Sequence, residues 1–212
     1  SMPVVWAPSP PPAAPDHIPT RKTTTMKLLA FAATNSRAGI NKQLVAYATR
    51  LVEAGVAGDV TVETIDLNDY EMPIYSVDRQ NEDGIPSAAH DFLARIGEAD
   101  AVLISFAEHN GHYTAAYKNL FDWASRIERR VYQDKPTVML ATAPGPGGGR
   151  NVLGAAVASA PFFGNDLVAS LSIPQFHDHF DIATGTLTDP ALDAQLREAL
   201  GALALIGERQ AA

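Results

Sequence analysis

Ala107-Glu-His-Asn-Gly-His-Tyr-Thr-Ala-Ala-Tyr-Lys-Asn-Leu-Phe-Asp-Trp-Ala-Ser-Arg-Ile127 decides the fold, because a polar elbow containing glycine joins a strand-like run to a long helix. Just upstream, Ala101 to Ala107 is apolar at all positions but Ser105, the pattern of a strand covered on both faces. Glu108, His109, Asn110 and Gly111 therefore fall just past the carboxyl end of that strand, where ligands sit in open α/β sheets. Downstream, the predicted helix from Tyr113 to Arg129 carries an apolar stripe, Ala116, Leu120, Trp123 and Ile127, widened by Tyr117, Phe121 and Ala124. An arc this broad exceeds what one sheet face buries.

Working outward, strand-like runs alternate with helical patterns from Met26 onward, which predicts a parallel sheet with helices on both faces. Strands are expected at Lys27 to Ala33, Asp59 to Asp66, Ala101 to Ala107, Thr137 to Ala143 and Leu167 to Ile173. Helices are expected at Asn41 to Ala54, Ser87 to Glu98, Tyr113 to Arg129, Asn151 to Ala160 and Pro190 to Gly207. A long loop is expected to pass through Glu71-Met-Pro-Ile-Tyr75 and the polar stretch Asp78 to Gly84. Five strands at this spacing fit an α/β, flavodoxin-like three-layer sandwich with a five-stranded parallel sheet in the order 2-1-3-4-5.

The chain has 212 residues, 46% of them hydrophobic, enough for one substantial core, so residues 26–212 are expected to form a single domain. Its formal net charge of −8 argues against nucleic acid or an anionic membrane surface as partner. With no cysteine there is no thiolate metal site or thiol nucleophile, so redox chemistry would require a bound cofactor. That absence fits the cytoplasm. No run is long and apolar enough for a transmembrane span. Residues 1–25, with seven prolines from Pro3 to Pro19, are expected to be an extended, polyproline-like N-terminal extension. Met26 is a candidate natural start; alternatively, the prolines pack along a neighbouring subunit.

Three loops follow strands at one edge of the expected sheet. The first, Ala33-Thr-Asn-Ser-Arg-Ala-Gly-Ile-Asn-Lys42, runs into a helix start, where unpaired N–H groups and hydroxyls can hold a phosphate. Its residues Thr34, Ser36, Arg37, Ile40 and Asn41 are candidate phosphate contacts, although Thr34, Asn35 and Ser36 could equally cap the helix. No G-x-G-x-x-G or Walker pattern is present, which lowers the odds of a dinucleotide-binding dehydrogenase or a P-loop nucleotidase. In the second loop, Asn110-Gly111 also suits an ordinary turn with positive φ. The third, Ala143-Pro-Gly-Pro-Gly-Gly-Gly-Arg150, offers Ala143, Gly145, Gly147 and Gly148 for close backbone approach to a ligand.

The wording of the decisive segment resembles the Pro-Glu-Tyr-Asn-Gly … Lys-Asn … Asp-Trp-Ala-Ser pattern of the NADPH-dependent FMN reductase family, a flavodoxin-like group that includes quinone, azo-dye and chromate reductases. The likeness covers about residues 27 to 182. It implies FMN as cofactor and NADPH or NADH as co-substrate. By the same resemblance, the phosphate lies in the first loop, where Thr34 and Asn41 match the family's Ser and Asn. Glu108, His109, Asn110 and Gly111 would border the flavin ring, and the glycine-rich third loop would approach it.

There are departures. Ser36 stands where the family often has Arg, with Arg37 shifted by one, and Gly39 replaces a Ser. Ala107 and His109 replace Pro and Tyr, and Ala143-Pro144 stands where a hydroxyl is usual, with Thr142 a possible substitute. The helix after residue 113 helps form the family's dimer, so a homodimer or homotetramer is implied. Met72 to Tyr75, resembling Leu-Pro-Leu-Tyr, would then help line the flavin site.

The expected function is an FMN-dependent NAD(P)H oxidoreductase delivering electrons to a small-molecule acceptor, with no side chain required as acid or base. The alternatives are a flavodoxin-like electron carrier and a non-catalytic binding protein of the same fold. A rival motif, His177-Asp-His-Phe-Asp181, sets two histidines on one side of an extended strand, with His112 and Asp122 as further metal-ligand candidates by type. It is also explained as a polar loop after the fifth strand, resembling the family's Gln-Phe-x-x-x-Phe-Asp stretch at subunit contacts, and no metal is expected.

Overall fold

The computed structural model describes residues 25–206. The expectation for the Pro-rich segment therefore lies, except for Thr25, outside the described residues. Five parallel strands form the centre: β1 (Met26–Ala33), β2 (Val60–Thr64), β3 (Ala101–Phe106), β4 (Lys135–Thr142) and β5 (Asn165–Ile173). Their order is β2-β1-β3-β4-β5, as the alternation of elements predicts.

Side-chain alternation along the strands assigns the two layers. Leu28, Ala30 and Ala32 of β1 belong to one core, with Leu44, Val45 and Ala48 of α1 (Ile40–Leu51) and Leu196 and Leu200 of α7 (Pro190–Gly201). Leu29, Phe31 and Ala33 belong to the opposite core. There they join Phe92 and Ile96 of α3 (Ser87–Glu98), Tyr117 and Leu120 of α4 (Ala115–Ile127), and Val152 and Ala156 of α5 (Arg150–Ser159). All six residues of β3 are buried, which accounts for its apolar run.

Several expectations need correction. The polar stretch after Tyr75 is a short helix, α2 (Val77–Asp83), whose start is capped by Ser76 accepting from the Arg79 N–H at 3.2 Å. It buries no side chain, so it carries no apolar period to read. The last helix stops at Gly201 and resumes for residues 204–206 after a turn. His177 and His179 lie in the helical turn α6 (Phe176–His179), not in an extended strand, followed by a small hairpin, β6 (Phe180–Asp181) and β7 (Thr186–Leu187). Phe176 and Phe180 stack at 4.5 Å inside the chain's own core, which removes them from the expected subunit contact. Among the described residues no three His, Asp or Glu side chains are grouped to hold a metal.

The broad arc on α4 is partly covered from within the chain. The Trp123 indole N–H donates to the Pro73 carbonyl at 2.8 Å, and its ring meets Tyr75 edge-on at 5.0 Å. Asn119 accepts from the Tyr75 N–H at 2.9 Å and donates to the Met72 and Pro73 carbonyls, each at 3.1 Å. The Met72 to Tyr75 loop is thus clamped to its own helix. What remains open between α4 and α5 is an aromatic groove of about 250 Å³, lined by Tyr113, Tyr117, Phe121, Tyr132 and Phe163 among others.

Candidate flavin site

The sheet register brings the three loops to one edge. Ala33 pairs with Phe106, Phe106 with Ala141, and Thr142 with Ile173, so β1, β3 and β4 release their loops at adjacent positions. Between them is a cleft of about 170 Å³ lined by Thr34, Ser36, Gly39, Ile40, Asn41, Ala107, Glu108, His109, Thr142, Ala143 and Pro144. This is smaller than the roughly 300–1,000 Å³ of a complete small-molecule pocket, so it suits one end of a mononucleotide.

Asn41 organises the floor. Its Oδ1 accepts from Ser105 Oγ at 2.7 Å and from the Thr142 N–H at 3.1 Å, while its Nδ2 donates to the Thr142 carbonyl at 3.1 Å. One buried amide thereby ties the start of α1 to both β3 and β4. The sequence marks Asn41 as a cofactor contact; its side chain is instead spent on the protein, and what it offers a ligand is its position in the first turn. Gly39, the N-cap of α1, supplies no side-chain hydrogen bond, so the turn presents its N–H groups uncapped. Thr34 does not cap the helix either: its Oγ1 accepts from the Ser36 N–H at 3.1 Å, leaving its hydroxyl proton to donate.

The loop is fixed from behind. Asn68 donates to the Asn35 carbonyl at 3.1 Å, and Lys42 pairs with Asp66 at 2.7 Å. Burial pulls the Asp66 carboxyl upward, but hydrogen bonds from Lys42 and Asn68 outweigh it and hold the group below its ordinary value.

The Glu108 carboxylate braces the second loop against the third. Its Oε2 accepts from the N–H groups of Asn151 and Val152 at 3.0 and 2.9 Å, capping α5, whose own N-cap residue is Gly149. The second loop thereby holds the third. His109 and His112 exchange backbone hydrogen bonds at 3.0 and 3.1 Å across a two-residue turn with Asn110 at φ 52° and Gly111 at φ 78°. That is the tight hairpin geometry that favours Asn-Gly. Thr114, two residues past His112, ties the start of α4 to β1 by donating to the Ala33 carbonyl at 2.9 Å.

In the third loop, Gly148 has φ 59°, and a Cβ there would come within 2.5 Å of Ser172 Oγ and 3.0 Å of the backbone at Ile173 and Pro174. The glycine is required for packing against the end of β5. Gly145 and Gly147 border open space. Thr142 donates its hydroxyl to the Ile173 carbonyl at 2.7 Å, so it does not supply the hydroxyl expected of it. The structure brings Thr34, Ser36, Ile40, Asn41, Glu108, His109 and Ala143 together and leaves Arg37, Asn110, Gly111, Gly145, Gly147 and Gly148 outside the lining. Thr142, expected only as a hydroxyl donor, also joins it, and so do Gly39, Ala107 and Pro144, which were not among the candidates. The apolar or structural character of these three gives no residue-type signal, and only loop position could have indicated them.

The NADPH-dependent FMN reductase family model matches residues 26–177. An NADPH:quinone oxidoreductase of Arabidopsis thaliana is 30% identical over 59% of this chain and 62% of its own length, so the chain spans less than two thirds of that relative. A probable NADPH:quinone oxidoreductase of Oryza sativa subsp. japonica is 26% identical over 82% of this chain and 85% of its own. Among solved structures, the flavoenzyme NAD(P)H:(acceptor) oxidoreductase FerB of Paracoccus denitrificans superposes with a TM-score of 0.71 at 22% identity, covering 87% of this chain and 98% of that one.

Proposed function

The chain belongs to the NADPH-dependent FMN reductase family, and from that premise we propose that it is an FMN-dependent NAD(P)H oxidoreductase serving a small acceptor of the quinone or flavin type. The observation that carries this is the uncapped first turn of α1 in one cleft with the hydroxyls of Thr34 and Ser36. These are hydrogen-bond donors arranged for a phosphate monoester, without the lysine of a nucleotidase loop. The residues fit FMN.

When bound, FMN supplies the redox chemistry, taking hydride from NADPH or NADH and returning two electrons to the acceptor. The chain's own work is to bind, orient and shield. Thr34, Ser36 and the N–H groups of Ile40 and Asn41 would hold the phosphate, with Arg37 outside the lining on the same loop. Where the cofactor leaves the cleft, the backbone of His109 would border its ring, continued beyond the lining by Asn110 and Gly111, and Ala143 would begin the opposite wall, continued by Gly145, Gly147 and Gly148. Glu108 acts as a positioning residue, by fixing the second wall to the third. No proton has to move to or from a side chain for hydride transfer, and none of these residues is assigned as an acid or base.

Two copies pair through the α4 face, where the aromatic groove leaves apolar surface open, and a tetramer is the next assembly to distinguish. The acidic surface and absence of cysteine support a cytoplasmic role away from nucleic acid. Among the described residues no helix is long and apolar enough to cross a membrane. The decisive measurement is the visible spectrum of the protein after incubation with FMN and desalting, then anaerobic addition of NADPH. Retained flavin bands that bleach are expected. Retained flavin that stays oxidised with both nicotinamides would point to an electron carrier, and no retained flavin to a binding protein of another kind. Sedimentation velocity at micromolar concentration checks the assembly, and a species of monomer size would rule out pairing.

A further inference from the structure

Ser105 is the only polar side chain of β3, and it is fully buried, at 0% exposure. A buried hydroxyl costs free energy unless it is bonded, so the strand alone gives no reason for one. Among the described residues its side chain makes one hydrogen bond, donated to Asn41 Oδ1 at 2.7 Å. Leu103, two positions earlier on the same face of the strand, belongs to the core that α1 packs on.

Asn41 is the second residue of α1, is 2% exposed and lines the cleft. Thr142 by itself would satisfy both ends of its amide, since the Thr142 N–H donates to Oδ1 and the Thr142 carbonyl accepts from Nδ2, each at 3.1 Å. That pair also fixes which amide atom is oxygen, because the two backbone groups cannot exchange roles. A side chain held by one residue can still pivot about it, and a bond to a second strand removes that freedom. What the Ser105 hydroxyl adds is position, not satisfaction.

Other bonds brace the loops that would border the ring. Glu108 fastens the second loop to the start of α5, and the turn from His109 to His112 closes on its own backbone. Ser105 takes part in neither. The two ends of the site are thus held by separate sets of bonds, and a change at Ser105 reaches only the end at α1.

We propose that Ser105, which lies outside the cleft lining, is a positioning residue that sets the preference for a phosphorylated flavin over an unphosphorylated one, an inference that rests on the flavin assignment above. Acting through Asn41, it holds the first turn of α1 against β3 as well as β4. N–H groups bond oxygen well only over a narrow range of distance and angle, so a turn free to pivot loses affinity for the phosphate while contacts to the ring persist.

The test is the dissociation constants of FMN and of riboflavin, followed by flavin fluorescence, for the wild type, Ser105→Ala, Asn41→Ala and the double variant. Ser105→Ala is expected to weaken FMN about fivefold, the effect of one ordinary hydrogen bond, and to leave riboflavin within about twofold. In the Asn41→Ala background the same change should do nothing further, because its route to the turn is gone. Ser105→Thr keeps the hydroxyl and should keep the preference. Ile104→Val trims a buried side chain in the opposite core and should leave the ratio of the two constants unchanged. If Ser105→Ala does not fold, Ser105→Cys, close in size and a weak donor, takes its place. Equal losses for both flavins, no loss for either, or an additive double variant would overturn the role of Ser105 and leave the site standing. A wild type that binds no flavin, or binds both alike, would overturn the phosphate assignment and the inference with it.

Discussion

Gly148 and Gly145 belong to the same glycine-rich run, yet they face different constraints. At Gly148 a side chain would meet Ser172 and the backbone after β5, and φ is positive. Gly148→Ala is expected to lower stability by about 1–3 kcal/mol, through strain of the kind such backbone positions carry, whereas Gly145→Ala should be near neutral. Chemical denaturation of the two variants checks this; equal midpoints would refute the packing argument. For Glu108 the expected loss is about 1 kcal/mol in Glu108→Ala, as when a helix cap is removed, with Glu108→Gln intermediate because it keeps a hydrogen-bond acceptor but loses the charge. FMN dissociation, followed by fluorescence, should quicken in the same order.

Motif matching marked both Glu108 and Asn41 as cofactor contacts. Both line the cleft, and their side chains bond to protein 43, 64 and 101 residues away in the chain. Residue type and spacing locate such side chains without revealing which atoms they bond.

At the scale of elements, the strands and the helices packed on them were legible because burial imposes their periods. Every residue of β3 is buried, and α1 buries Leu44, Val45, Ala48 and Leu51. The exposed helix α2 and the turn α6 were not, since the first buries nothing and the second is four residues long. The covering of α4 also escaped the sequence, because its agents, Pro73 and Tyr75, lie about 45 positions upstream of Asn119 and act chiefly through backbone atoms. Asn119→Ala removes three hydrogen bonds to that loop, and at about 1 kcal/mol each, less what water restores, stability should fall by about 2 kcal/mol. Hydrogen exchange offers the sharper readout: the Tyr75 amide should lose protection while amides in β3 keep theirs.

Across the whole molecule, tyrosines tie neighbouring elements together within each of the two layers. Tyr117 and Tyr132 hydrogen-bond to each other at the base of the aromatic groove, and Tyr47 of α1 donates to Asp193 of α7. Burial raises Tyr117 and Tyr132 well above the usual phenol value, and burial together with Asp91 pushes Tyr70 up to about 12. Groups held above their unfolded value contribute stability that is complete below pH 10 and is lost as pH rises through the folded values. Thermal midpoints should therefore hold level from pH 8 to about 10 and drop steeply beyond it. A flat profile to pH 11.5 would show that the phenols ionise without unfolding the chain. The spacing of elements fits the order of the sheet, but these phenol contacts within its layers could not be inferred, because tyrosine is read in a sequence only as another apolar residue.

The amide of Asn41 has one more effect, on timing. With the start of α1 already fastened to two strands, the turn proposed to receive the phosphate stands ready before a flavin arrives, and little backbone entropy remains to be lost on capture. Occupancy is then governed by how slowly the phosphate lets go. Riboflavin, which has no phosphate to engage that turn, should pass through the same cleft as a short-lived visitor.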